Sequence, residues 1–142
     1  MRMDVRIACS IALWAGVAAA QTLPPAAQDL LDRGRAAAAA RYQFAVDQGA
    51  QFVPTSDGRS FSILWYPPDA PAAAPLIVTL HGSSSWAFDE LFLWREQAAR
   101  FGYGVLALQW WFSDGESNES YYAPAELRRE LAAVLRRQGS TG

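Results

Sequence analysis

Hydrophobic and polar positions along this chain fall into three kinds of pattern, and each predicts a different element. Leu76, Ile77, Val78, Thr79 and Leu80 form an unbroken β-prone run closed by Gly82. Parallel strands covered by helices on both faces read this way, because neither side needs to be polar. Gly104 to Leu108 repeats the pattern as a second short buried strand. Phe61, Ile63 and Trp65 instead alternate with Ser60, Ser62 and Leu64, predicting a strand from Ser60 to Tyr66 with one buried face. Gln51 to Val53 would pair with it across Thr55-Ser56-Asp57-Gly58, since Asp-Gly readily takes the positive φ of a tight turn. Pro54 confines that first strand to a sheet edge, and Pro67, Pro68, Pro71 and Pro75 make a stiff surface connection.

Three further stretches carry helical spacing. From Pro24-Pro25 to about Gln48, the residues Leu30, Leu31, Gly34, Ala38, Tyr42 and Ala45 recur at three- and four-residue steps. One helix lying over the edge of a domain is expected. Phe88 to Phe101 places Leu91, Trp94, Ala98 and Phe101 on one face, with Arg95 and Glu96 off it and Gly102 as a stop. Pro124 opens a last helix with Leu127, Leu131 and Leu135 spaced by four. Its Arg128, Arg129, Arg136 and Arg137 face water, the latter pair complementing the helix C-terminus. Strand, helix, strand over 76–108 predicts a right-handed crossover between parallel strands. The fold class is α/β: a partial sheet with an antiparallel edge hairpin, parallel strands and crossover helices.

Composition narrows the setting. The 142 residues allow at most one domain, and 51% hydrophobic content excludes a disordered chain. Met1 to Ala20 has the layout of a secretory leader: Arg2 and Arg6, an apolar run from Ile7 to Val17, then Ala18-Ala19-Ala20 before Gln21. The apolar run is too short for a comfortable membrane span, so no membrane partner is expected once the leader is removed. Residues 21–50 then form an N-terminal helical segment and 51–142 the remaining domain. Cys9, the one cysteine, lies within the leader. The mature chain therefore has no disulfide, thiol nucleophile or thiolate metal site, and belongs in the periplasm or outside the cell. Net charge is −2 and the basic residues are scattered, leaving no stripe for nucleic acid.

Candidate chemistry gathers after the central strand, in His81-Gly82-Ser83-Ser84-Ser85-Trp86. A strand passing through a glycine-bearing loop into a helix leaves backbone N–H groups unpaired, where an anion or oxyanion can be held. At these residues the chain resembles the α/β-hydrolase fold, whose third strand ends in His-Gly and supplies one oxyanion-hole N–H. The resemblance runs roughly from Gln51 to Gln138. It implies an esterase or depolymerase that cleaves carboxylic esters of small or polymeric substrates through an acyl-serine. The family's Gly-x-Ser-x-Gly nucleophile motif is absent from these residues. The resemblance thus implies the amino-terminal part of a hydrolase: nucleophile, acid and base lie elsewhere, in a missing C-terminal half or a second chain. The nucleophile's strand would follow the last helix and lie beside Leu76 to Leu80.

No catalytic residue is assigned within the chain. His81 could in principle serve Ser83, Ser84 or Ser85 with Asp89 as orienting acid, but neither family order nor a two-residue spacing fits such a triad. His81 is read as a support for the loop, and Gly82 as the place where backbone approaches a ligand. Ser83 is the first choice of oxyanion donor through its N–H, with Ser84 second. The plainer alternative is that these serines cap the following helix. Trp110, Trp111, Tyr121 and Tyr122, with Trp86, form a candidate substrate loop at the carboxyl end of the second parallel strand. They could instead pack beneath a lid, or serve a non-catalytic module that holds polysaccharide or polyester. Asp114, Glu116, Asn118 and Glu119 lack the twelve-residue calcium-loop pattern, so no metal or other cofactor is assigned. Asn118-Glu119-Ser120 also fits a glycosylation sequon, a weak signal.

Overall fold

The computed structural model describes residues 22–71 and 73–139, and the leader assigned to Met1–Ala20 lies outside them. Pro25 sits in the first turn of α1 (Pro25–Ala37), where the N–H it lacks would have no helical partner anyway. The single helix expected to Gln48 is two. Ala38 leaves helical geometry at φ −140° and ψ 54°, and α2 (Ala39–Asp47) begins after it. Alanine's helix preference is worth at most roughly 0.7 kcal/mol per residue over ordinary residues, which packing overrides. The break lets Leu30 and Leu31 of α1 and Ala45 of α2 enter the same buried cluster as the sheet residues Phe61 and Ile63. These helices are part of the core rather than a cover at its margin.

The architecture is α/β, with a mixed four-stranded sheet in the order β1-β2-β4-β3. The hairpin forms as its turn chemistry predicts. β1 (Gln51–Pro54) pairs antiparallel with β2 (Phe61–Trp65), and Gly58 in the turn takes φ 73°. Pro54 lies on an edge strand. β2 then pairs antiparallel with β4 (Gly104–Leu108), and β4 pairs parallel with β3 (Leu76–Leu80). The predicted crossover between β3 and β4 is made by α3 (Ala87–Phe101).

Both faces of β2 are buried, not the one expected from its alternation. Phe61, Ile63 and Trp65 pack with Phe88 and Leu91 on one side of the sheet. Leu64 and Leu106 pack with Val53 and with Val134 of α4 (Pro124–Gly139) on the other. Each large side chain so enclosed contributes about 1.5–3 kcal/mol relative to exposure. Gly104 is required where β4 begins: a Cβ there would lie 2.7 Å from the Trp65 carbonyl oxygen and 2.5 Å from the Tyr66 ring.

The helices bury only part of the faces expected. On α3, Phe88, Leu91 and Ala98 are enclosed, while Trp94 and Phe101 are 41% and 64% exposed. Gly102 ends the helix in the left-handed region at φ 73°, as its sequence position suggested. On α4 the Leu127–Leu131–Leu135 row is only half covered, and the enclosed residues are Glu130 and Val134. Glu130 can be buried because it accepts from Ser56 N–H at 2.5 Å and Ser56 Oγ at 2.8 Å, tying α4 to the hairpin turn. β3 is the other edge of the sheet, as a strand whose neighbour these residues do not encode would be. Among the described residues nothing pairs with its outer margin, and Val78 and Leu80 are each 43% exposed.

Candidate functional site

β3 delivers its chain into the loop Gly82–Ser85 at the carboxyl end of the parallel pair. His81, at the head of that loop, is 2% exposed and both ring nitrogens are engaged. Nδ1 lies 2.8 Å from the Gly82 carbonyl oxygen, which can only accept, so Nδ1 carries the proton. Nε2 then accepts from the Trp110 N–H at 3.4 Å. Burial pushes the imidazole pKa below its ordinary range, outweighing the hydrogen bond to Gly82 and the nearby Glu90 and Asp89 charges. Among the described residues His81 makes no hydrogen bond to Ser83, Ser84 or Ser85, and its neutral ring holds the loop against the strand beside it.

The helix start behaves differently from the sequence reading. The first N–H groups of α3 are not vacant: Trp86 N–H donates to Asp89 Oδ2 at 2.9 Å, and Ala87 N–H to Gln109 Oε1 at 2.8 Å. Nor do the loop serines cap α3. Trp86 occupies the cap position, and Ser85 Oγ donates to Asp89 Oδ2 at 2.8 Å. The unpaired donors lie in the loop itself. Ser85 N–H closes a turn onto the Gly82 carbonyl at 3.3 Å, whereas Ser83 and Ser84 N–H find no acceptor among the described residues. Ser84 holds φ 60°, an uncommon conformation for a residue with a side chain. Gly82 is open: a Cβ added there would meet nothing within 4 Å. The fold itself does not demand glycine at this position.

The aromatic candidates divide. Trp110 and Trp111 are half-buried on the segment leaving β4, and each commits its indole N–H internally, to the His81 and Gly115 carbonyls at 2.8 Å. Tyr121 is half-buried with its ring 4.9 Å from that of Trp110, and Trp111 forms an antiparallel bridge with Tyr121. Trp86 and Tyr122 do not face the loop opening. Trp86 is buried beneath it, stacked on Phe88 at 5.9 Å and covering Gly34, where a Cβ would lie 2.6 Å from its ring. Tyr122 is buried against the hairpin turn, its hydroxyl donating to Asp57 at 2.7 Å and lying 3.1 Å from Thr55 Oγ1. Burial alone would raise the Asp57 carboxyl, but hydrogen bonds from Arg59, Tyr122 and Thr55 outweigh it and hold the pKa at about 2.

Two polar residues that support the loop were missed by sequence reasoning. Gln109 is fully enclosed: its Oε1 caps Ala87 N–H and its Nε2 donates to the Trp111 carbonyl at 2.7 Å, so one amide links α3 to the aromatic segment. The one available signal was a polar residue directly after the apolar run Gly104–Leu108. Glu90 is 7% exposed and accepts from Thr79 Oγ1, which fixes α3 over β3. Among the described residues, no group of three or more His, Cys, Asp or Glu is placed to hold a metal. No described helix is long and apolar enough to cross a membrane.

The chain matches no family model, curated protein or solved structure. The loop after β3 presents two backbone N–H groups with no acceptor among the described residues, beside an open glycine and over a buried histidine.

Proposed function

We propose that this chain is the oxyanion-binding portion of a secreted carboxylic-ester hydrolase that works through an acyl-serine. The observation that carries this reading is the loop after β3, with unpaired Ser83 and Ser84 N–H groups beside Gly82, whose Cβ position is empty. Donors fixed in advance at the carboxyl end of a parallel sheet suit the negative charge that grows on a carbonyl oxygen under attack. Each such donor is worth about 3–4 kcal/mol in the transition state. His81 is a positioning residue, since its ring nitrogens are committed to Gly82 and Trp110.

The nucleophile comes from a strand outside the described residues, set parallel to β3. Two features support that placement. Among the described residues the outer margin of β3 is unpaired, and the end of α4 lies over its first half, where Gln138 and Gly139 line a groove of about 480 Å³ with Leu76 and Val78. A segment continuing from α4 would thus reach the start of that margin. The aromatic segment contributes walls more than a gripping surface, because both of its indole N–H groups are used internally.

Titration of the isotopically labelled chain with a phenylboronate or a small phosphonate, followed by amide NMR, tests the loop. The Ser83 and Ser84 amides should move, and unmoved amides across 82–85 would remove the oxyanion role. The purified chain should not turn over p-nitrophenyl esters. Turnover lost in Ser83→Ala or His81→Ala would overturn the assignment of the nucleophile to another segment.

A further inference from the structure

The free margin of β3 is matched to itself. Both backbone groups of a strand residue point to the same side, and the Pro75 carbonyl accepts from Gly104 N–H at 2.8 Å, toward β4. Ile77 and Thr79 therefore also face β4, and Leu76, Val78 and Leu80 present their N–H and C=O groups outward. If a second β3 runs antiparallel about a two-fold axis through Val78, then Val78 meets its own mate and Leu76 meets Leu80. Every outward donor then finds an acceptor. Side chains in this register fall on matching faces, with Leu76, Val78 and Leu80 of both copies together.

The flanks agree with the same axis. Glu90, Trp94 and Phe101 lie on one side of α3 by helical spacing, and Glu90 is bonded to Thr79, so that side overhangs β3. A two-fold perpendicular to the sheet brings Trp94 of each copy toward its mate, and on the opposite face brings Leu135 of α4 toward its own. Both are exposed, 41% and 40%. A self-matched contact sets each residue against a copy of itself, so any charge there would repel its mate. Leu76, Val78, Leu80, Trp94 and Leu135 carry none. Natural edge strands are normally blunted by a charge, a proline or a bulge. β1 has Pro54, whereas Leu76–Leu80 has no such guard.

We infer that two copies of this chain pair β3 to β3, antiparallel about Val78, into one continuous eight-stranded sheet. The pairing itself does not rest on the ester-hydrolase reading. A consequence that does rest on it is that a nucleophile-bearing strand and a second copy compete for one margin.

Size-exclusion chromatography with light scattering of the purified chain across a dilution series tests the pairing. A dimer is expected. Val78→Lys and Val78→Glu, each placed against its own mate across the interface, should raise the dissociation constant on the order of 100-fold. An equimolar mixture of the two should return a dimer. A monomeric or polydisperse parent chain, an undisturbed variant dimer, or a mixture that stays monomeric overturns the proposal. Should a charged variant fail to fold by circular dichroism, cysteine crosslinking in a Cys9→Ser background decides the matter. Hydrogen-bonded antiparallel mates have Cα atoms about 5.5 Å apart, within the span of a short bis-maleimide. Val78→Cys should therefore link copies with that reagent while Val46→Cys, on α2, does not. Equal linking at both sites, or none at Val78→Cys, overturns it.

Discussion

Trp110 grips His81 twice: its backbone N–H points at Nε2 at 3.4 Å, and its indole Nε1–H donates to the His81 carbonyl at 2.8 Å. The rings also stack at 5.5 Å between centroids. One residue on the segment after β4 thus fixes both the backbone and the side chain that open the loop after β3. Protonating His81 would cost its acceptor role at Nε2.

That cost appears as a pH dependence. Burial holds the folded imidazole pKa below its ordinary 6.5, so the unfolded chain binds a proton that the folded chain refuses. Stability from this residue is complete above about 6.5 and is lost as pH falls below that value, toward the folded pKa. Thermal melts should show Tm dropping between roughly pH 7 and pH 5. In His81→Asn the baseline should fall by about 1–3 kcal/mol and this part of the slope should flatten.

Asp57 titrates in a lower window. With its pKa held at about 2 against an ordinary 3.8, it stabilises the fold above about 4 and loses that contribution as pH falls toward 2. Tyr122→Phe removes one donor to the carboxylate and should cost about 1–2 kcal/mol at neutral pH. Urea titration at neutral pH checks the cost. NMR titration of Asp57 should show its pKa rising toward the ordinary value in the variant.

Three glycines separate structural need from ligand space. Gly104→Ala would drive a Cβ to 2.7 Å from a backbone carbonyl, and Gly34→Ala to 2.6 Å from the Trp86 ring. Both should destabilise by about 1–3 kcal/mol or more, with Gly104→Ala the worse because backbone yields least. Gly82→Ala meets nothing and should leave the unfolding free energy within about 0.5 kcal/mol of the parent. The same variant should weaken the boronate response of the Ser83 and Ser84 amides.

Glu130 offers a test of buried polarity. Glu130→Ala leaves Ser56 N–H and Oγ without their acceptor and should cost about 2–4 kcal/mol in denaturant unfolding. Glu130→Gln keeps one acceptor oxygen and should recover part of that loss.

What the sequence made legible was local. Asp57-Gly58 predicted the hairpin, Gly102 the end of α3, and the two apolar runs the parallel pair, because turn chemistry and residue period act over a few positions. The reading of His81 as a support followed from chain order and spacing, and its bonds to Gly82 and Trp110 match that role. Illegible features all depend on distant partners. Ala38 breaks a helix that local preference favours, since α1 and α2 must reach one core. Trp94 and Phe101 look like core by spacing, yet no described element covers them. Gln109 and Glu130 look solvated until Ala87 and Ser56, 22 and 74 positions away, are brought to them.

Gly34 is the one place on α1 narrow enough to admit the Trp86 indole, and Trp86 is the residue from which α3 sets out after the serine loop. Residues 22–50 are thus a footing under the loop after β3. An expression unit cut at Gln51 to isolate the sheet would withdraw that footing, and the loop should lose its shape before the strands come apart.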